Sequence, residues 1–221
     1  MKNKAILAVS IALAFFAALT LGSARLQAQD AQSATTPGNN NVDPAAQAAA
    51  AQMVPAQAFL DAAIDARKMQ PGQQIKATLS DTVHLKNGTE LPKGTALVGT
   101  IANDSAQRGS RATLALRFTQ AEVKGGQAIP IEATIVGVAP PFDESASDYS
   151  RVEPAPAWDG TAIQVDDEDV LSGLDMHSKI DGNNSAVFVS TRKDDVKLPE
   201  RTQLSLAIGA EGAGETNAGS L

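Results

Sequence analysis

From residue 74 onward, apolar and polar residues alternate in short runs separated by turn chemistry. Ile75, Ala77 and Leu79 fall on one face of an extended segment over 74–79, and residues 82–85 continue the extended chain. Asn87-Gly88 follows; both residues tolerate positive φ, so the pair predicts a hairpin. Residues 89–91 lead into a second turn, Pro92-Lys93-Gly94, and 95–101 read as a strand. After a polar loop over 103–110, Leu114, Leu116 and Phe118 alternate in a strand over 112–118 that residues 121–123 extend. Lys124-Gly125-Gly126-Gln127 turns the chain into a long β-branched strand over 129–138, with Ile129, Ile131, Ala133, Ile135 and Gly137 on one face. Pro130, near its start, has no N–H to give a ladder and suggests an edge strand. Residues 186–191 and 203–208 read as closing strands.

Two stretches depart from this period. Over 55–68, Ala56, Phe59, Leu60, Ala63 and Ile64 follow helical spacing, Pro55 suits a first helical turn, and Gln70-Pro71-Gly72 ends the run. One short helix is expected there. Residues 140–181 are irregular and acidic, with Asp166-Asp167-Glu168-Asp169 as a solvated loop and a short helix over 170–177. The expected fold is mainly β: a single small β-barrel or sandwich-like domain over 55–208 with one short N-terminal helix, flanked by disordered segments.

The first 28 residues have a different logic. Lys2 and Lys4 precede an uncharged apolar run over 5–21, and Gly22, Ser23 and Ala24 lead to a cleavage site before Gln29. A basic start, an apolar stretch and a small-residue exit are the parts of a secretory signal. An uncleaved membrane anchor over 5–24 is the other reading, and both place the remainder of the chain outside the cytoplasm, in the periplasm or at the outer envelope. Residues 29–54 are Ala, Gln, Asn, Ser, Thr and Pro, too poor in large apolar side chains to offset the entropy of ordering, and read as a spacer in which 46–51 flicker into helix. Residues 209–221 form a Gly- and Ala-rich tail.

Composition narrows the chemistry. Aromatic residues make up 4% of the chain, with one Trp and one Tyr, so the core must come from Val, Ile, Leu and Ala. There is no cysteine, which excludes disulfides, Cys-ligated zinc, a thiol nucleophile and a lipid-modified cysteine. The formal charge is −7, and loss of residues 1–28 removes Lys2, Lys4 and Arg25 but no acid. Such a surface argues against nucleic-acid binding, which relies on neutralising phosphates.

One internal echo stands out. Leu91-Pro92-Lys93-Gly94-Thr95-Ala96-Leu97 and Leu198-Pro199-Glu200-Arg201-Thr202-Gln203-Leu204 both read Leu-Pro-x-x-Thr-x-Leu entering a strand, as two similar turns at one end of a barrel would. A duplicated binding loop is the functional reading. The first copy belongs to a longer stretch, from Leu60-Asp61 through Asp65-Ala66-Arg67-Lys68-Met69-Gln70-Pro71-Gly72 to Leu97-Val98-Gly99. It continues with Leu114-Ala115-Leu116-Arg117-Phe118 and with the run from Gln127 to Ile135. Over roughly 60–139 and 185–208 this resembles a group of small exported bacterial envelope proteins of unassigned role. The Pro-x-Gly-Thr-x-Leu-x-Gly portion is also similar to the TrbI-like β-barrel family of type IV secretion and conjugal transfer. That family's amphipathic membrane-inserting helical hairpin has no counterpart, because residues 140–181 are too acidic. The resemblance implies a barrel-like fold in the envelope, not an activity.

No residue stands out as catalytic, cofactor-binding or metal-binding, and no cofactor is expected. His84 and His177 read as surface histidines. Asp166-Asp167-Glu168-Asp169 lacks the spacing of a calcium loop, and Asp181-Gly182-Asn183-Asn184-Ser185 lacks its closing Glu. Asp143, Glu144 and Asp148 are the carboxylates a hydrolase would draw on, with nothing to fix their separation. No Gly-x-Ser-x-Gly elbow, phosphate loop or dinucleotide fingerprint occurs. The expectation is a non-enzymatic exported module that binds an envelope protein or surface polymer, with Tyr149 and Trp158 as candidate partner contacts. A TrbI-like assembly subunit is the first alternative and an envelope hydrolase the second.

Overall fold

A computed structural model of the chain describes residues 43–102, 111–126, 128–141, 155–192 and 195–212. Helix α1 (Pro44–Gln52) comes first, followed by β1 (Val54–Leu60), β2 (Ile64–Asp65), β3 (Gln74–Leu79), β4 (Val83–His84), β5 (Glu90–Leu91) and β6 (Ala96–Ile101). Then come β7 (Thr113–Glu122), β8 (Ala128–Ala139), β9 (Gln164–Leu171), β10 (Leu174–Lys179), β11 (Ala186–Ser190), β12 (Lys197–Leu198) and β13 (Gln203–Ala210). The main sheet runs β6-β3-β1-β13-β8-β7-β11-β10-β9, and β6 also pairs with β7. That last pairing closes six antiparallel strands into a barrel and leaves β11, β10 and β9 as an arm extending from β7. Closure removes the barrel's own edges.

The interior follows from the period-two pattern. Ala58 and Leu60 of β1, Ala77 and Leu79 of β3, Leu97 of β6, Leu116 and Phe118 of β7, Ile131 and Ile135 of β8, and Leu204 and Leu206 of β13 are buried in one core. Alanines on β1 and β3 leave the room that Phe118 and the leucines fill, so a chain poor in aromatics still packs a closed barrel.

The echoed turns do the same structural work. In each, the Thr N–H and Oγ1 both donate to the Pro carbonyl, at 3.0 and 2.7 Å for Thr95 and at 3.2 and 2.7 Å for Thr202. Gly94 N–H donates to Leu79 O and Arg201 N–H to Leu60 O, while Leu79 N–H and Leu60 N–H donate to Thr95 O and Thr202 O. A short ladder precedes each turn, β4 with β5 and β2 with β12. β6 and β13 also carry their register shifts at matching places, Val98/Gly99 and Ser205/Leu206. The β1–β3 register, Ala58↔Leu79 and Leu60↔Ala77, is symmetric about its centre. The barrel therefore has an approximate two-fold relation between β1-turn-β13 and β3-turn-β6. Because β1 and β3 are antiparallel, the turns lie at opposite ends of this strand pair and not, as expected from the sequence, at one end.

Other expectations need correction. Residues 55–68 are not a helix: β1 alternates with Ala56, Ala58 and Leu60 inward. Pairing to β13 on one side and β3 on the other overrides the helical spacing. Pro55 precedes the β3 pairing, which begins at Ala58, so its missing N–H breaks no ladder there. Among the described residues the one helix is α1, inside the stretch expected to be spacer. Residues 170–177 are not a helix either, but the end of β9, the start of β10 and the hairpin turn between them at Gly173 (φ +80°). The acidic run 166–169 is strand, not loop. Pro130 does not mark an edge, since β8 lies between β13 and β7. The tail expected from 209 onward starts later, since Gly209 and Ala210 belong to β13 and pair with Glu132 and Ile131; the rest of it beyond 212, the polar loop over 103–110 and residues 1–42 lie outside the described residues. Among the described residues no helix is long and apolar enough to cross a membrane.

Two glycine-related positions test this architecture. A Cβ on Gly99 would lie 2.4 Å from Arg117 O and 2.8 Å from Phe118 Cδ1, where β6 meets β7. Gly99→Ala is expected to lower stability by about 1–3 kcal/mol in urea unfolding, the usual cost of overpacking; an unchanged midpoint would mean that this closure is loose. Arg201 holds φ +62° where the matching turn has Gly94 at φ +84°. Arg201→Gly should raise stability by up to about 1 kcal/mol, the relief of left-handed strain being partly offset by backbone entropy.

Candidate functional site

β7 is shared unevenly. Its C-terminal half pairs with β8 through Phe118↔Ala133 and Gln120↔Pro130, while its N-terminal half pairs on the same side with β11 through Leu116↔Ala186 and Leu114↔Phe188. Ser185 stands where the two partners diverge. Its N–H donates to Leu116 O (2.8 Å), its carbonyl accepts from Ile135 N–H (2.8 Å), and its Oγ accepts from Phe118 N–H (2.9 Å). The residue is buried, and its bonds satisfy backbone groups that the parting strands leave unpaired.

A recess of about 550 Å³ opens at this fork. Alternation along β7 and β8 turns Arg117, Thr119, Glu132 and Thr134 away from the barrel core and into its lining. The turn after β10 contributes Asp181, Asn183 and Asn184, and Glu211 contributes from the end of β13. Asp181 holds the left-handed region at φ +61°, and a Cβ on Gly182 would approach Lys179 O to 2.7 Å. The Asp181-Gly182 pair is thus a tight turn that only this sequence chemistry makes easily.

The charge balance of the recess is uneven: three carboxylates face one guanidinium. Partial burial pushes the Glu132 carboxyl above its ordinary value, the Asp181 charge adds to this, Arg117 opposes it, and Glu211 adds a smaller rise. Such a site suits a polar partner carrying positive charge, with Asn183 and Asn184 supplying both donors and acceptors. Among the described residues no three His, Asp or Glu side chains are grouped to hold a metal ion.

The residues singled out from sequence are scattered. Trp158 is 6% exposed, packs in a second apolar cluster with Val136, Ile180 and Ala207, and donates its indole N–H to Ala162 O at 2.9 Å. It is a packing residue, not an open contact. Tyr149 lies outside the described residues, as do Asp143, Glu144 and Asp148. His84 is exposed, 3.8 Å from Glu90. His177 Nδ1 lies 2.8 Å from Asp166 Oδ1 on the surface of the arm. Asp166 is held below the usual carboxylate range by that bond first and by Gln164 second. Asp169 points its carboxylate back to Gly173 N–H, closing the hairpin. The acids of 166–169 thus serve the outermost strand of the main sheet, where charge discourages pairing with another chain.

Sequence reasoning missed Arg117, Glu132 and Glu211. The available signal was the polar partner of each alternating pair: Arg117 between Leu116 and Phe118, and Glu132 between Ile131 and Ala133. Alternation marks such positions as outward-facing but does not say which of them converge. Comparison with protein-family models and with curated proteins gives no match.

The raised Glu132 carboxyl has a measurable consequence. Its proton is held more tightly in the folded than in the unfolded state, so stability falls as pH rises from the ordinary glutamate range through the raised value. Glu132→Gln is expected to be more stable than wild type at pH 7, with the gain shrinking to nothing as pH falls below the glutamate range. Thermal melting at stepped pH reads this directly, and a gain independent of pH would dismiss the assignment to ionisation.

Proposed function

We propose that this chain is a non-enzymatic exported envelope module, and that its barrel presents the fork recess to a protein partner or surface polymer. The observation that carries the reading is the recess itself: a polar, net-acidic hollow built where two strands of a closed barrel part. Its walls come from five separate segments of the fold, Ala45 of α1 among them, and its charges are set by the strands and turns of the barrel and arm. The apolar run over 5–21 behind Lys2 and Lys4 supports export, and a cysteine-free chain needs no oxidation to fold there.

A TrbI-like subunit of a type IV secretion or conjugation assembly is the second reading. It is favoured by the position of the resembling residues. Leu91-Pro92-Lys93-Gly94-Thr95-Ala96-Leu97-Val98-Gly99 forms one echoed turn and the strand that closes the barrel onto β7. These residues serve barrel closure, which both readings require.

The two are separated by native size and intact N-terminal mass measured on the same gently solubilised envelopes. The expected result is a small particle whose chain starts near Gln29. A ring-sized complex retaining residues 1–28 would overturn the module in favour of the assembly subunit. A photoreactive residue placed at Asn183 is then expected to give one discrete adduct in living cells, whereas the same residue at Lys93, remote from the recess lining, gives none. Equal labelling from both positions would remove the recess from the account.

A further inference from the structure

Helix α1 has nine residues, Pro-Ala-Ala-Gln-Ala-Ala-Ala-Ala-Gln, and lacks both an acidic first turn and a basic last turn. Isolated helices of that length are marginal in water, where about 12–15 residues are needed even for alanine-rich sequences. It is held by its surroundings. Ala49, Ala50 and the following Met53 pack on the outer wall of the barrel against Val136 of β8 and Ala207 of β13, beside Trp158 and Ile180. Only small side chains make the helix's share of that contact, so its apolar grip is modest per residue.

The ends are pinned by lysines from two different parts of the fold. Asp43 caps the helix by accepting from Ala45 N–H at 3.1 Å, and Lys179 Nζ of β10 lies 3.3 Å from its other oxygen. At the far end Lys86, in the β4–β5 turn, donates to Ala51 O, supplying the cation that the last turn lacks. Both pins are exposed, and such bonds contribute little each. The helix thus bridges barrel and arm through a shallow alanine contact and two solvent-accessible clips. Its link to the barrel is the single residue Met53.

We infer that α1 is a releasable strap: it lifts from the barrel wall without unfolding the barrel, and its opening uncovers the floor formed by Trp158, Val136, Ile180 and Ala207. The barrel does not depend on the helix, since β13 is paired along its length to β1 on one side and β8 on the other and α1 adds no ladder bond. The sole tryptophan of the chain lies in the floor and reports the state of the strap.

The test uses the full chain and two readouts. Native amide hydrogen exchange is expected to show residues 47–52 exchanging at least about 100-fold faster than β13, as a locally opening unit does. Ala49→Asp, which places a carboxylate against the floor, should redden Trp158 emission and raise its acrylamide quenching several-fold while β8 and β13 keep their protection. Paired replacement Lys86→Ala with Lys179→Ala should give a smaller shift in the same direction. Exchange of α1 at the same rate as β13 would overturn the proposal. So would loss of barrel protection in Ala49→Asp in step with the fluorescence change, because the helix would then be part of the cooperative core.

Discussion

β7 has two hydrogen-bonding edges and three claimants. β6 takes one edge for most of its length, and β8 and β11 divide the other. A strand that is left by one partner before the next begins would expose bare N–H and C=O groups inside a packed structure, at a cost of about 1–3 kcal/mol for each. Ser185 meets that constraint with its N–H, its carbonyl and its hydroxyl. Only a short side chain with an acceptor oxygen reaches a backbone N–H from there without displacing a strand. The arm, the turn that leads into it and the hollow beside it all take their positions from this junction.

The approximate two-fold relation explains why the junction is where it is. The register of β6 and β13 and the bonds of the two Leu-Pro-x-x-Thr turns treat β1 and β3 as equivalents. By the same relation β7 and β8 would pair symmetrically, with Leu116 opposite Ile135. Instead, Ser185 bridges these two residues. The arm is therefore a wedge driven into an otherwise regular barrel. It enters through the connection between β8 and β12, a long connection that has no counterpart between β3 and β5.

Much of the barrel was legible because its strands obey a period of two and its turns carry Gly, Pro and Asn at positions of special backbone geometry. Ile75, Ala77 and Leu79, or Leu114, Leu116 and Phe118, leave little choice of face. The failures have physical causes. Residues 55–68 satisfy a helical pattern as well as a strand pattern, and only partners distant in sequence decide between them. Residues 164–171 show no apolar alternation, because an outermost strand buries little and is written in charges. Ala49 and Ala50 have no large side chain to announce burial, yet a floor of Val136, Trp158 and Ile180 accepts them. The recess was the least legible feature, since its lining is drawn from positions as far apart as Arg117 and Glu211. Its polar residues look individually like ordinary solvent-facing ones.

The neighbours of β1 are β3 and β13, one close behind it in the chain and the other the last of the described strands. Gln57 Nε2 donates to Ser205 Oγ across 148 residues, at 2.6 Å. A chain made from its N-terminus, or threaded through a pore in that direction, therefore carries β1 with one side bare until the final strand arrives. Contacts of such long range form slowly, because the intervening loop must be closed first. The barrel has no stopping point short of completion: until β13 is in place, β1 and β8 are both open edges. Closure of the barrel thus comes last in any N-to-C order of synthesis, because it depends on the most C-terminal of the described strands.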